Sequence, residues 1–420
     1  MTVKLNTNKF IHYLLVYIFV LWHDSGITRV IGIVNSPYIV TLICLLVILL
    51  YKRCYSQEML FFVLAITLNT IYIRYMVGPV GVYYLASYAA SIMITYVAFN
   101  FDRVHFVERF VKIIAFLAAS SIVLWVVTLI APELYGSITL LRYTPYSNRV
   151  YNLGGFAYVP VTYEGALLYV MRTGNELARN NGIYNEPGLF QIVLNSALYL
   201  ILFYPKLANL NKRLTQRYVL VIILAIATCQ STTGYMSLAA IFVGYALHKS
   251  QTKKTIKLGK YVLIAALVLT IEFIINGSTS MVGKVIGSKM EISNGVIQFI
   301  GTGQQRVDTM ALSILSLLQH PFGIGQDAYT ELLKFAGKSS SDGTALMAEA
   351  ISMGIQIWII LIIFFVRPLF SRRKNIVFFL VALFIYINTT MGQASVAYPA
   401  LLMLALPLEN TTKNIKHKHV

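Results

Sequence analysis

The apolar residues of this chain come in unbroken blocks rather than singly at amphipathic spacing. No motif constrains the fold as strongly. In a lipid interior every backbone N–H and C=O must be satisfied within the chain, and helices do this. Composition agrees: of 420 residues, 57% are hydrophobic and only 12% charged, with a mean hydropathy of +0.69. A soluble chain carries roughly twice that charge. The pattern predicts an all-α polytopic membrane protein of about twelve spans. They fall near 10–32, 37–51, 58–77, 82–100, 110–131, 187–204, 218–231, 234–248, 261–276, 344–366, 376–391 and 395–409. Trp22-His23-Asp24-Ser25-Gly26 interrupts the first. The seventh and eighth are short and divided by Ser231-Thr232-Thr233-Gly234, as two tilted spans or one broken helix. Lys4 and Lys9 precede the first block and no small-residue cleavage site follows it, so it is expected to stay attached.

Net charge is +18, gathered in connectors. Lys52/Arg53, Arg103/Arg109/Lys112, Lys206/Lys212/Arg213/Arg217, Lys249 to Lys260, Arg367 to Lys374 and the tail Lys413/Lys416/Lys418 all fall on one side if both termini are cytoplasmic. No basic face or binding motif points to nucleic acid. Cys44, Cys54 and Cys229 lie in or beside apolar blocks without ligand spacing, so neither disulfide nor zinc is expected. Two connectors, 132–186 and 277–343, are too long for turns and fall on the outer face. In the second, Val307, Met310, Ala311, Ile314, Leu315 and Leu318 recur at helical spacing, predicting an amphipathic helix on the membrane surface or under a lid. The chain thus divides into N-terminal spans (1–131), a first outer loop (132–186), central spans (187–276), a second outer loop (277–343), and C-terminal spans with a basic tail (344–420). No repeat of fixed period and no pairing of the two halves is visible.

The rest of the chain is organised around Arg179-Asn-Asn-Gly-Ile-Tyr-Asn-Glu-Pro-Gly-Leu-Phe190. Pro187 suits the first position of a helix, and Glu186 then falls at its partly positive end. Gly182 and Gly188 permit close backbone approach. Four segments in order resemble the O-antigen polymerase (Wzy-type) family, of the polymerase/ligase superfamily. They are Arg179-Asn-Asn-Gly182 with Asn185-Glu186-Pro187-Gly188; Ser231-Thr-Thr-Gly234-Tyr235; Arg306 with His320-Pro321-Phe322-Gly323-Ile324-Gly325; and Ser339-Ser340-Ser341-Asp342 before Glu349 and Gly354.

The resemblance implies a GT-C-like glycosyltransferase at the outer leaflet of the bacterial inner membrane. It would join undecaprenyl-pyrophosphate-linked repeat units without metal or nucleotide sugar, alongside a chain-length regulator. The superfamily's ligases carry a histidine after the second loop. Here Ser341-Asp342-Gly343 stands there, which favours polymerase over ligase. A lipid-linked oligosaccharide flippase is the rival outside the superfamily.

Expelling a pyrophosphate builds charge on its oxygen, and arginine binds phosphate through a planar fork. Arg142, Arg149, Arg172, Arg179 and Arg306 stand on a face that should be poor in positive charge; the alternative is that they tie loop carboxylates or headgroups. Arg179, Glu186, Arg306 and Asp342 are the candidate catalytic residues. Arg142, Arg149, Arg172, Asn185, His320 and Tyr329 are the candidate substrate contacts. Glu186 could orient Arg179 or take the acceptor proton, and a helix N-terminus favours the former. Asp342 is a base or a helix cap. His320 is catalytic or a plain turn residue. Amides of Gly323-Ile324-Gly325 could face phosphate, or the segment is a tight turn. Ser231 to Gly234 could line a cavity or satisfy a helix break. Tyr143, Tyr146, Tyr151, Tyr158 and Tyr163 could stack on sugars or form an interfacial belt. Glu272, within a span, would be a buried tie or a site residue.

Overall fold

A block of leucine, isoleucine and phenylalanine offers its backbone no partner but itself, and the chain responds with helices. The computed structural model describes residues 7–22, 25–32, 35–78, 81–139, 141–144, 152–153, 156–157, 162–165, 167–172, 179–250, 290–293, 296–299, 302–337, 345–366, 376–392, 399–404 and 406. They form two compact units, Met1–Cys229 with Ala397–Val420, and Gln230–Val396.

The first unit contains α1 (Thr7–Leu21), α2 (Gly26–Ile31), α3 (Ser36–Leu50), α4 (Gln57–Met76), α5 (Val82–Phe101), α6 (Phe106–Ile130), α7 (Pro132–Ile138), α8 (Pro187–Phe203), α9 (Pro205–Ala208) and α10 (Lys212–Cys229). Among the described residues α4, α5 and α6 are long and apolar enough to cross a membrane, and α1, α3 and α8 are shorter apolar helices. Leu42, Leu45, Leu46, Leu49 and Leu50 of α3 point outward, the last 77% exposed. Such a stripe belongs against acyl chains, and the protein is membrane-associated. Every residue of α8 after Pro187 is buried, and α6 and α10 pack against it. A helix apolar on all sides belongs in an interior. Its polar residues bond along the helix: Asn195 donates to Gln191 Oε1 at 2.9 Å and Ser196 to the Ile192 carbonyl at 2.7 Å.

The interruption expected in the first span is present: α1 stops at Leu21, and α2 restarts behind Ser25, whose Oγ accepts the Thr28 N–H at 3.4 Å. Two expectations are corrected. The all-α expectation left no place for strands, and the first outer loop holds short ones. Between α7 and α8 run β1 (Arg142–Tyr143), β2 (Asn152–Leu153), β3 (Phe156–Ala157), β4 (Tyr163–Glu164) and β5 (Met171–Arg172). Strands β1, β4 and β5 form an antiparallel sheet in that order, and β2 pairs with β3.

The second correction lies in the second unit. It contains α11 (Thr232–Ser250), a hairpin of β6 (Met290–Ser293) and β7 (Val296–Phe299), α12 (Thr302–Gln319), α13 (Gln326–Phe335), α14 (Ala345–Met353), α15 (Ile355–Val366) and α16 (Ile376–Gly392). The span expected over 344–366 is two helices parted at Gly354. The turn His320 to Gly325 docks on the break: Ile324 and Gly325 N–H donate to the Ile351 and Ser352 carbonyls at 2.8 and 3.0 Å, and Ile355 N–H to the Pro321 carbonyl at 2.9 Å. Gly323 and Gly354 meet backbone to backbone at φ +91° and +82°. A Cβ on Gly323 would lie 2.6 Å from the Gly354 nitrogen. Ser231 Oγ accepts the Gly234 N–H at 3.4 Å at the start of α11, and Asn388 of α16 donates to the Thr233 carbonyl at 2.8 Å. The Ser231–Gly234 segment satisfies backbone where a helix begins. The amphipathic helix expected from Arg306 forms as α12; Thr309, Ser313 and Ser316 are buried and Val307, Ile314, Leu315 and Leu318 exposed. The span at 261–276 with Glu272, part of the last span, and Tyr146, Tyr151 and Tyr158 lie outside the described residues.

Candidate functional site

Residues 180–185 bond to the end of α1 and the start of α2. Gly26 N–H donates to the Ile183 carbonyl at 2.8 Å, Ser25 and Tyr184 form an antiparallel bridge, and the Tyr184 hydroxyl donates to the Val20 carbonyl. Asn180, 0% exposed, is the hub. Its amide donates to Ser121 Oγ of α6 at 3.1 Å and Thr228 Oγ1 of α10 at 2.9 Å, and its Oδ1 accepts the Gly182 N–H at 3.0 Å. Gly182 sits at φ +55°, where a Cβ would lie 2.6 Å from the Phe190 ring. The interior of the Arg179–Glu186 stretch is thus held by protein, and its two ends emerge.

The ends carry the charge. Arg179 is exposed, and Glu186, also exposed, is the N-cap of α8 ahead of Pro187; its side chain makes no cap hydrogen bond. The Val170 N–H donates to the Gly182 carbonyl at 2.6 Å, closing a loop whose arms carry Arg172 and Arg179. Neither guanidinium is held by a carboxylate among the described residues. Asn185, 3% exposed, accepts a hydrogen bond from the Tyr143 hydroxyl, so one expected substrate contact serves as a tie between β1 and the mouth of α8.

The sheet order decides which side chains share a face. Neighbouring strand residues point to opposite faces. Arg142 stands opposite Glu164, and Glu164 opposite Met171, on one face; Tyr143, Tyr163 and Arg172 share the other. Tyr143 and Tyr163 stack at 5.5 Å between centroids. Arg142 is held to Glu164 at 2.6 Å, an exposed guanidinium covering a buried carboxylate. With Pro132, Glu133, Gly136, Ser137, Thr139 and Met171 this pair lines a cavity of about 560 Å³. Tyr135 of α7 fastens the cavity to the fold, donating to the Tyr169 carbonyl at 3.0 Å. Burial and the Glu164 charge push its hydroxyl upward, although the hydrogen bond with Thr139 pulls the other way.

The remaining candidates fall elsewhere. His320 is exposed at the end of α12, its carbonyl accepting the Gly323 N–H at 3.0 Å. The N–H groups of Gly323, Ile324 and Gly325 all donate to backbone carbonyls, so they are not available to a phosphate. Tyr329, 1% exposed, is a core residue packed with Leu333 and Ile351, its hydroxyl 3.1 Å from Ser313 Oγ. Burial, rather than a substrate, accounts for its environment. Arg306 lies in α12, but its side chain, like Arg149 and Asp342, is outside the described residues.

Sequence reading missed Glu164, Glu133 and Thr139. No spacing rule links Arg142 to Glu164; only sheet pairing does. It also missed a polar cluster at the opposite end of α6, a helix roughly 38 Å long at 1.5 Å per residue. There His12 Nε2–H donates to the Ala98 carbonyl at 2.8 Å while Nδ1 faces Arg109, and Arg109 pairs with Asp102 at 3.0 Å. Burial pushes the Asp102 carboxyl up, but the His105 hydrogen bond and the Arg109 charge outweigh it and hold the group below its usual range. Among the described residues no group of histidine, cysteine and carboxylate side chains could hold a metal. Set against known proteins, the chain matches no family model, no curated protein and no solved structure.

Proposed function

We propose that the protein is a membrane glycan polymerase. It would transfer a growing glycan from undecaprenyl pyrophosphate onto the terminal sugar of a new lipid-linked repeat unit, at the outer face of a bacterial inner membrane with both termini inside. The observation that carries the reading is the loop closed by Val170 and Gly182. It offers two exposed guanidinium groups, Arg172 and Arg179, beside a rigid, protein-filled support. Fixed cations without a carboxylate partner suit a diphosphate, because charge develops there as the glycosidic bond breaks.

In the reaction an acceptor hydroxyl oxygen forms a bond to the donor's anomeric carbon. The bond from that carbon to phosphate breaks, its electron pair leaves on the pyrophosphate, and the hydroxyl proton passes to a carboxylate or water. Arg172 and Arg179 hold the leaving diphosphate. Arg306 is retained as a candidate from the second unit.

Arg179→Ala and Arg172→Ala are expected to leave the protein folded in the membrane and to shorten surface glycan to a single repeat. Purified variants should elongate lipid-linked repeats at least ~100-fold more slowly, since lost oxyanion contacts commonly cost that much. Normal chain length in both variants would defeat the assignment. The broken helices, α1/α2 and α14/α15, favour a second reading as a lipid-linked oligosaccharide transporter, because discontinuous helices build transporter sites. Elongation by purified protein in detergent, with no second compartment, separates the two.

A further inference from the structure

The cavity beneath the β1–β4–β5 sheet differs in chemistry from the arginine-bearing loop. Its charged lining is two carboxylates, Glu133 and Glu164, against one guanidinium, Arg142. Arg142 is already neutralised by Glu164 at 2.6 Å. A diphosphate entering here would meet net negative charge, so this face repels the donor's leaving group. It suits hydroxyl groups instead. An ionised carboxylate accepts from two hydroxyls, the Arg142 fork donates, and Ser137 and Thr139 do both. Pro132 and Met171 supply apolar surface for a ring face. A Cβ on Gly136 would lie 2.8 Å from Glu164 Oε2, so the bare glycine keeps space clear beside that oxygen. The volume, about 560 Å³, lies within the roughly 300–1,000 Å³ of small-molecule sites.

We infer that this cavity is the acceptor-sugar subsite, binding the non-anionic terminal sugar of the incoming repeat through Glu133, Glu164 and Arg142. The sheet is then a partition. Arg142, Glu164 and Met171 face the acceptor, while Arg172 on the opposite face belongs to the donor side. Arg142 thereby leaves the set of phosphate ligands. The inference rests on the polymerase reading for the identity of the sugar.

The test uses full-length protein in nanodiscs and saturation-transfer NMR. The probe is the neutral and amino monosaccharides from acid hydrolysis of the producing cell's own surface glycan. Transfer to at least one sugar is expected, weakened at least fivefold in Glu133→Gln, an exposed residue whose change leaves the Arg142–Glu164 pair intact, and abolished in Glu164→Gln. No transfer, or transfer unchanged by both substitutions, overturns the subsite. A parallel elongation assay with lipid-linked repeats separates the two ideas. Elongation with an unchanged acceptor KM in both variants sinks the subsite and keeps the polymerase. Sugar binding of the expected pattern without elongation keeps the subsite and sinks the polymerase.

Discussion

Asn180 joins three segments through one side chain: α6 by Ser121, α10 by Thr228, and its own turn by the Gly182 N–H. Leucine there would leave the Gly182 N–H buried without its acceptor, at about 1–3 kcal/mol, while Ser121 and Thr228 keep their bonds to the Ala118 and Ala225 carbonyls. Asn180→Leu is therefore expected to lower the thermal midpoint by several degrees, or to remove the protein from the membrane fraction, and Asn180→Asp to do less harm. Fluorescence-detected size exclusion after heating measures both. At this scale the sequence was only partly legible. Pro187 and Gly182 announced a helix start and a close approach, because each carries its backbone constraint within itself. Asn185 and Arg142 did not declare their partners. Glu164 reaches Arg142 through strand pairing and the Tyr143 hydroxyl reaches Asn185 across a long loop, and local spacing encodes neither. Tyr329 stood among the candidate substrate contacts, yet its neighbours Leu332 and Leu333 mark a helix with an inward face.

Elements were legible where lipid alone dictates them. Helices α4, α5 and α6 follow their apolar blocks within a few residues because nothing else competes for the backbone. The break in 344–366 was not, since Gly354 lies inside an apolar run and a single glycine is tolerated in a helix. The cause sits elsewhere in the chain: the His320–Gly325 turn supplies donors for the carbonyls freed at Ile351 and Ser352. Gly354→Ala should separate the two. A Cβ there would lie 2.5 Å from the Phe322 carbonyl carbon at φ +82°, a region unfavourable for alanine by roughly 1–2 kcal/mol before the clash. Amide exchange at Ile324 and Gly325 is expected to quicken at least tenfold in this variant, with exchange along α4 to α6 unaltered.

Among the described residues the molecule uses its helices in two ways: α3 turns leucines outward, while α8 keeps leucines and amides alike inside. Gln191, Asn195 and Ser196 lie in a helix buried on every side, between α6, made before it, and α10, made after it. During synthesis, then, α8 leaves the ribosome while one of its walls does not yet exist. Its amide-bearing flank would face hydrocarbon if the helix were released alone, so insertion has to wait for the chain that follows. Nascent chains halted after Phe203 should remain crosslinked to the insertion machinery and be degraded when freed. Chains halted beyond Cys229 should pass into the bilayer and survive, making the order of emergence part of how this protein is assembled.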